Sequence, residues 1–278
     1  MQIPSEDKND QSQLLAQSLI SAVSSLLLCP DFTAVSATSY INTSEIDSST
    51  FDSCEFIWEA GVGFPYSPPN NSKIDQNRTE LLKLLLTCFS ETMYSTPSNL
   101  KHNKWIEVFC SSDNKQALPL FVSLLNVVCS YNPVGIGVPY NYIFFQDNKE
   151  SLVEVSCQLL IVVLDQNNFL LQEEYEIVSS TPPKPNLFLD YLSRIHRDED
   201  FKFMLDGFCR LLNNPIQQTY LPSSMKKITF HQELMILFWR LCDINKKFMF
   251  FTLRSTQVSV LCIFFISIRK NYYFLNCV

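Results

Sequence analysis

The sequence ALPLFVSLLNVVCSYNPVGIGVPYN, residues 117–141, decides the fold because it joins a long apolar run to a stiff loop. The run has the composition of a buried helix. The loop holds Gly135 and Gly137, two of only 5 glycines, and Pro133 and Pro139, two of 14 prolines. Gly reaches backbone angles closed to other residues and Pro fixes φ, so the loop is predicted to hold a shape and not to perform chemistry.

The composition of the chain favours packed helices. Its 278 residues can bury a sizeable core in one large domain or two small ones. Phe is common at 22 residues and Gly is rare at 5, which argues against a turn-rich β architecture. The net charge of −7, without a basic stripe, argues against nucleic-acid binding. Anionic lipid also repels such a chain unless a local patch or an anchor compensates.

Apolar periodicity predicts a succession of medium helices joined by loops. The predicted helices cover residues 12–29, 77–94, 105–110, 114–131, 147–164, 187–195 and 198–213. The last predicted helix begins at 229 and runs through 242, with 251 left open as its furthest end. The first is expected to turn one face to the core: Leu15, Leu19, Ala22, Val23 and Leu26. Polar, Ser/Thr-rich or Pro-punctuated loops are predicted at 33–50 and 167–185, and a turn at Gly61 and Gly63.

Three helix starts carry capping signals. Asn77 is expected to cap the second helix. Asp147 with Glu150, and Thr229 with Gln232, have the spacing of a capping box. Helices stacked in sequence without a fixed repeat period predict an all-α fold, an irregular α-solenoid with armadillo- or HEAT-like stacking.

The cysteines are expected to be buried, reduced thiols, because none forms a CxxC pair and most lie in apolar helical runs. They are Cys29, Cys54, Cys88, Cys110, Cys129, Cys157, Cys209, Cys242, Cys262 and Cys277. A disulfide framework or a zinc site would need paired spacing. The sequons at Asn42, Asn70 and Asn77 are interpreted as chance matches, since no secretory signal begins the sequence.

The histidines suggest no metal site, because His102, His196 and His231 lack ligand spacing to Cys, Asp or Glu. The pair His231 and Glu233 fits a helix start better than chemistry. The cluster RIHRDED at residues 194–200 is either an acid–base set or a solvated helix junction, and the acids that open the following helix favour the junction.

Basic pairs flank the last predicted helix, Lys226–Lys227 and Lys246–Lys247. They are expected to be solvated or helix-end charges, with contact to anionic headgroups as the alternative. The segment 248–268 has 21 residues and one charge, Arg254, which is long enough to span a bilayer. Its purely apolar part, 258–268, is too short to cross, so a span is the less favoured interpretation.

No catalytic, cofactor-binding or metal-ligating residue is predicted, since the chain lacks GxSxG, HExxH and Gly-rich phosphate motifs. The tryptophans are expected to be packing anchors and not binding hot spots: Trp58, Trp105 and Trp239. Gly135, Pro139 and Asn141 are the best candidates for a structural loop. A hydrolase that uses Cys or His is a competing hypothesis, and it requires one His within hydrogen-bond reach of a Cys in a pocket.

Five strings resemble the high-temperature-induced dauer-forming protein family, which is related to dymeclin. They are FDSCEFIWEAGVGF at 51–64, ELLKLLLTCFSETMY at 80–94, the opening stretch at 117–141, YLSRIHRDEDF at 191–201 and FHQELMILFWRLCDINKKFMFF at 230–251. The resemblance runs from about Leu14 to Ser255, with gaps around 33–50 and 167–185.

The resemblance implies a large, helical, non-enzymatic protein on the cytosolic side of the Golgi. Such proteins act as scaffolds in cargo sorting and dense-core vesicle formation, and they associate peripherally with medial and trans-Golgi membranes. The implied partners are proteins of the Golgi trafficking machinery, without nucleic acid, cofactor or small-molecule substrate. A membrane-embedded protein anchored by residues 248–268 is the alternative.

The chain departs from the family at both ends. The family begins with a myristoylated Gly after the initiator Met, whereas Gln2 follows Met1 here, so that anchor is expected to be absent. Residues 1–255 are interpreted as a solenoid-like piece of a longer array. Residues 256–278 are interpreted as a divergent apolar tail outside the family fold.

Overall fold

The structure is a computed structural model that describes residues 5–35, 56–94, 103–133, 148–166, 185–214 and 226–255. The regular elements of these ranges are helices: α1 Ser5–Leu26, α2 Ser72–Phe89, α3 Lys104–Cys110, α4 Ala117–Ser130, α5 Asn148–Asp165, α6 Leu187–Arg194, α7 Asp198–Asn213, α8 His231–Ile244 and α9 Lys246–Arg254. A 3-10 turn, Ser90–Tyr94, extends α2. The all-α class is thus confirmed for the described part of the chain.

Helices α4 and α5 form the centre of the core. Helix α5 packs against α2, α4 and α8, while α4 also contacts α6 and α7. Leu120 and Val127 of α4 and Leu152 and Val163 of α5 are fully buried. A helix that is apolar on nearly every side must be surrounded, so the predicted buried helix of the opening stretch is confirmed.

Helix α1 buries a face that overlaps the expected one only in part, since Val23 is buried and Leu19 packs against the core. The buried stripe is Ala16, Ile20, Val23 and Leu27, whereas Leu15 is 62% exposed. Apolar residues occupy two adjacent stripes of this helix, offset by one position, and periodicity alone does not choose between them. Packing against α3 selects the second stripe. The helix also begins at Ser5, earlier than predicted.

The segment 56–64 is held on α4 by buried polar contacts. The Trp58 backbone N–H donates to Ser123 Oγ at 3.2 Å, and Asn126 Oδ1 accepts from the Val62 N–H at 2.8 Å. Asn126 Nδ2 donates in turn to the carbonyls of Glu59 and Val62. These bonds satisfy a loop that lies inside the fold, where unpaired backbone groups would be costly.

The predicted turn in this segment is present. Gly61 has φ 155°, and its N–H donates to the Phe64 carbonyl at 2.7 Å. A Cβ on Gly61 would lie 2.4 Å from the Phe203 ring and 2.6 Å from Asn126 Oδ1. The backbone angle and the close approach both require Gly here.

Four buried asparagines each join the end of an earlier helix to the start of a later one, and we call them the asparagine clasps: Asn103, Asn114, Asn186 and Asn245. In each, Oδ1 accepts from a backbone N–H at or just before a helix start, and Nδ2 donates to a carbonyl near an earlier helix end. A single amide therefore satisfies orphan groups of both helix termini.

Asn245 illustrates the geometry of the clasps. Its Oδ1 accepts from the Phe248 N–H at 3.0 Å, at the start of α9. Its Nδ2 donates to the carbonyls of Leu192 at 2.8 Å and Ile195 at 2.9 Å, at the end of α6. Asn245 has an extended backbone and separates α8 from α9. The last predicted helix therefore runs through Cys242, as expected, but its possible continuation to 251 is a separate helix.

Two predicted caps are also wrong. Helix α2 begins at Ser72 with Asn71 as its cap, and Asn77 lies inside the helix with Nδ2 donating to the Phe32 carbonyl at 2.9 Å. Helix α8 begins at His231, and Phe230, not Thr229, precedes it without a side-chain cap. Asn71 Oδ1 accepts from the Lys73 N–H at 3.1 Å, so a different Asn caps α2, and α8 begins without any side-chain cap.

Helices α4 and α7 approach each other closely at Gly207. A Cβ on Gly207 would lie 2.4 Å from the Cys129 carbonyl oxygen. Arg210, one turn later, donates from Nη2 to the same carbonyl at 2.6 Å and from Nε to the Tyr131 carbonyl at 3.0 Å. Its guanidinium thus satisfies the C-terminal end of α4, where a cation is favoured.

Candidate functional site

The charged cluster 194–200 forms the junction between α6 and α7. Arg194 pairs with Asp190 at 2.7 Å, and Arg197 lies 3.4 Å from Asp200. His196 is exposed, with its Nδ1 2.8 Å from the Arg194 carbonyl oxygen. The charges pair locally and the acids open α7, which supports the helix-junction interpretation over an acid–base set.

A cleft of about 560 Å³ lies beside this junction, between the start of α7 and α9. Phe201 and Phe251 form its aromatic side, with ring centroids 5.6 Å apart. Its lining is completed by a third aromatic residue, Phe250, and by polar and charged residues: His196, Asp198, Lys247, Arg254 and Ser255. The arrangement can receive a group that is partly apolar and partly charged.

An apolar groove of about 380 Å³ follows the outer face of α8. Its lining contains only apolar side chains and one thiol: Met235, Ile236, Phe238, Trp239 and Cys242. Trp239 is 62% exposed and Ile236 is 48% exposed. Trp239 is therefore not the packing anchor that was expected, because the apolar stripe of α8 is wider than the face that the core covers.

The other two tryptophans do serve packing. Trp58 is 1% exposed, and its indole N–H donates to the Leu27 carbonyl at 3.0 Å. Arg78 lies over the Trp58 ring, 4.9 Å from its centroid. Trp105 is partly buried against the core, and its indole N–H donates to Glu91.

The Arg78 guanidinium joins a buried ion pair beneath Trp58. It lies 2.8 Å from Asp75 Oδ1, and its Nε donates to the Thr33 carbonyl at 2.6 Å. Burial raises the pKa of Asp75, and the attraction of Arg78 only partly offsets this shift. The pair ties α2 to the loop after α1 and is a structural contact.

The described cysteines are reduced: Cys29, Cys88, Cys110, Cys129, Cys157, Cys209 and Cys242. Burial raises the pKa of Cys129 to about 12 and that of Cys209 to about 11, and it raises the pKa of Cys110 and Cys157 as well. Buried thiols of this kind stay protonated and are poor nucleophiles. Cys54, Cys262 and Cys277 lie outside the described residues.

The histidines are far apart in the chain and differ in environment. Burial lowers the pKa of His231, and the nearby Glu233 carboxylate only partly offsets the shift, so the imidazole is neutral at pH 7. His102 lies outside the described residues. In the part of the chain that the structure describes, no group of three His, Cys, Asp or Glu side chains could hold a metal ion.

In each basic pair, one lysine forms an ion pair and the other is exposed. Lys226 forms an ion pair with Glu150, and Lys246 lies 3.0 Å from Asp243. Lys247 is exposed beside the cleft, and Lys227 is exposed before α8. Gly135, Pro139 and Asn141 lie outside the described residues, so the structural loop remains a prediction.

The beginning of the predicted apolar segment 248–268 belongs to the core. Phe248 is fully buried, with its ring 5.7 Å from that of Phe201 and 6.1 Å from that of Phe238. Across the described ranges, no helix combines the length and the apolarity that a membrane crossing needs.

Sequence reasoning missed the exposed surfaces and the asparagine clasps. Each clasp is an Asn at or near a helix start, which was a readable capping signal. The carbonyls that their amides reach come from elements up to 53 residues away, and spacing does not reveal them.

The comparisons with known proteins agree on one family. The family model described as High-temperature-induced dauer-formation protein matches residues 2–273. Protein HID1 of Homo sapiens is 53% identical over 264 residues, which are 91% of this chain and 34% of the relative. Protein HID1 of Dictyostelium discoideum is 28% identical over 257 residues, 84% of this chain and 28% of the relative.

A more distant relative is the Ubp5-interacting protein ftp105 of Schizosaccharomyces pombe, 25% identical over 259 residues, 90% of this chain and 27% of the relative. The chain thus spans about a third or less of the length of the curated relatives that it matches. No solved structure matches it. With a family match over nearly the whole chain and 53% identity to a curated relative, the chain belongs to the high-temperature-induced dauer-formation protein family.

Proposed function

We propose that this chain is part of a non-enzymatic, peripheral Golgi protein that acts as a scaffold in cargo sorting and dense-core vesicle biogenesis. Family membership is the observation that carries the proposal. The exposed groove on α8 supports it, because a row of solvent-facing apolar side chains with Trp239 at 62% exposure is typical of a protein-binding surface.

We further propose that the helices stack as an irregular α-solenoid, a piece of a longer array. The contacts advance along the chain: α1 packs on α3, α2 on α5, α4 on α7 and α5 on α8. In a solenoid each unit contacts its neighbours and leaves extended surfaces for partners. This ordering of contacts supports the proposed arrangement.

A scaffold works through its surfaces and not through reactive interior groups. Burial keeps the thiols of Cys110, Cys129 and Cys157 protonated, which supports a non-enzymatic role. The name of the fission yeast relative describes that protein as interacting with Ubp5, and a role through protein contacts is consistent with it. The membrane-embedded alternative is not favoured, because Phe248 is fully buried in the core.

Depletion tests the proposal directly. Secretory cells depleted of the protein that contains this chain are expected to mis-sort granule cargo: prohormone processing falls and dense-core granules become fewer. Re-expression of the complete protein is expected to restore both. Normal granule cargo after verified depletion would contradict the sorting role, and a reaction product traced to the purified protein would contradict the non-enzymatic assignment.

A further inference from the structure

The exposed face of α9 combines basic and apolar side chains in one sector. Leu253 is 62% exposed and Phe250 is 57% exposed, and Lys247 and Arg254 are exposed on the same helix. At about 100° per residue, Lys247, Arg254, Phe250 and Leu253 fall within about 120° of arc. The opposite side carries Phe248 and buries it in the core, so the helix is fixed with this sector outward. We call these four exposed residues the α9 face.

The charge of the α9 face opposes that of the whole chain. The helix sequence KKFMFFTLR contains no acid, in a chain of net charge −7. Among the described residues, neither Lys247 nor Arg254 forms an ion pair, whereas Lys246 is paired with Asp243. Asp198 and His196 are the titratable groups that line the adjoining cleft. Two cations are therefore available to a partner, with one carboxylate beside them.

We propose that the α9 face contacts the surface of an anionic lipid bilayer. Its basic side chains suit lipid phosphates and carboxylates, and exposed Phe and Leu tips suit the boundary between headgroups and acyl chains. Along the helix, Lys247 precedes and Arg254 follows the apolar tips, an arrangement that suits a charged membrane surface, whereas the α8 groove, lined by apolar side chains, fits a protein better. The inference rests on the proposed peripheral membrane role and assigns it a contact element.

The test is co-flotation of the full chain with vesicles. Binding is expected to vesicles of phosphatidylcholine with about 30 mol% phosphatidylserine at about 50 mM salt, and to weaken as salt rises. Each basic side chain near such a surface contributes about fivefold to partitioning, so Lys247→Gln with Arg254→Gln is expected to lower it about 30-fold. Phe250→Ser is expected to lower it about tenfold.

Lys227→Gln is the matched control, an exposed lysine outside the α9 face, and it is expected to leave partitioning within about twofold. All substituted side chains are exposed, so the melting temperatures should match that of the unsubstituted chain, which separates lost binding from lost folding. Equal binding by the Lys247→Gln, Arg254→Gln chain and the unsubstituted chain would overturn the inference, as would failure of the unsubstituted chain to float. Cargo sorting after depletion is measured separately, so the result of the vesicle experiment does not decide whether the proposed function is correct.

Discussion

Gly207→Ala is expected to destabilise this fold, although the same substitution stabilises an isolated helix. In an exposed helix interior, Gly→Ala stabilises by about 1 kcal/mol. Here the new Cβ would lie 2.4 Å from the Cys129 carbonyl oxygen and 2.8 Å from the Cys129 Cα. Ordinary contact begins about 1 Å further out, and the obstacle is backbone that no side-chain rotation can move.

The substitution therefore forces α7 away from α4. Overpacking of this kind costs about 1–3 kcal/mol, and the backbone contact places this site at or above the upper end. After subtraction of the helix gain, we expect a net loss of about 2 kcal/mol and a melting temperature lower by roughly 4–8 °C. Parting the helices also weakens the bonds from Arg210 to the end of α4.

Urea denaturation followed by circular dichroism at 222 nm measures the free energy of unfolding. Lys202→Ala is the matched control: it lies on the same helix, is exposed, and exchanges one good helix former for another. It is expected to change stability by less than about 0.5 kcal/mol. A Gly207→Ala chain as stable as the unsubstituted one, or more stable, would refute the close packing of α4 and α7.

Three further predictions concern buried polar groups. Although Asp usually caps helices well, Asn245→Asp is expected to destabilise the fold by about 2–4 kcal/mol in urea unfolding, at least as much as Asn245→Ala, because its carboxylate would face two carbonyl oxygens. A stable Asp variant would contradict the clasp. Arg78→Met is expected to lower the free energy of unfolding by about 3–5 kcal/mol by leaving Asp75 buried without its partner, and adding Asp75→Leu should recover most of that loss. Equal losses of stability in the single and double variants would argue against the ion pair. Since burial lowers the pKa of His231 below 6.5, the melting temperature is expected to fall as pH drops below about 6.5 and to level off below the folded pKa of His231. His231→Gln should flatten this part of the pH profile of the melting temperature, and an unchanged profile would contradict the pKa shift.

Local pattern was enough to predict the helical class and several bounds. The runs at 187–195 and 198–213 correspond closely to α6 Leu187–Arg194 and α7 Asp198–Asn213, because strong amphipathicity and first-turn acids mark both. The face of α1 was predicted only in part, with Val23 buried but Leu15 exposed, because two apolar stripes lie side by side and only the neighbouring helix decides which one is buried. The sequence left the end of the last helix open between 242 and 251, because the cause of the break at Asn245, a pair of carbonyls at the end of α6, is remote in sequence.

The exposed candidate surfaces were predicted less well from the sequence than the core was. A stripe such as Met235, Phe238 and Trp239 has the same spacing whether it faces the core or solvent, so Trp239 was read as an anchor. The pair Lys246–Lys247 was recognised, but only the fold distinguishes the paired Lys246 from the exposed Lys247. Membership of the family was predictable because the matching strings are long and compositionally unusual.

We propose that this protein acts through the surfaces of its helices and not through reactive groups inside them. Rescue of granule-cargo sorting in depleted cells tests it most directly, with two variants of the complete protein compared at equal expression. Cys129→Ala with Cys157→Ala removes interior thiols, and Ile236→Ser with Trp239→Ser removes the exposed part of the α8 groove. We expect the thiol variant to restore sorting and the groove variant not to restore it. Restoration by the groove variant together with failure of a stably folded thiol variant would contradict it.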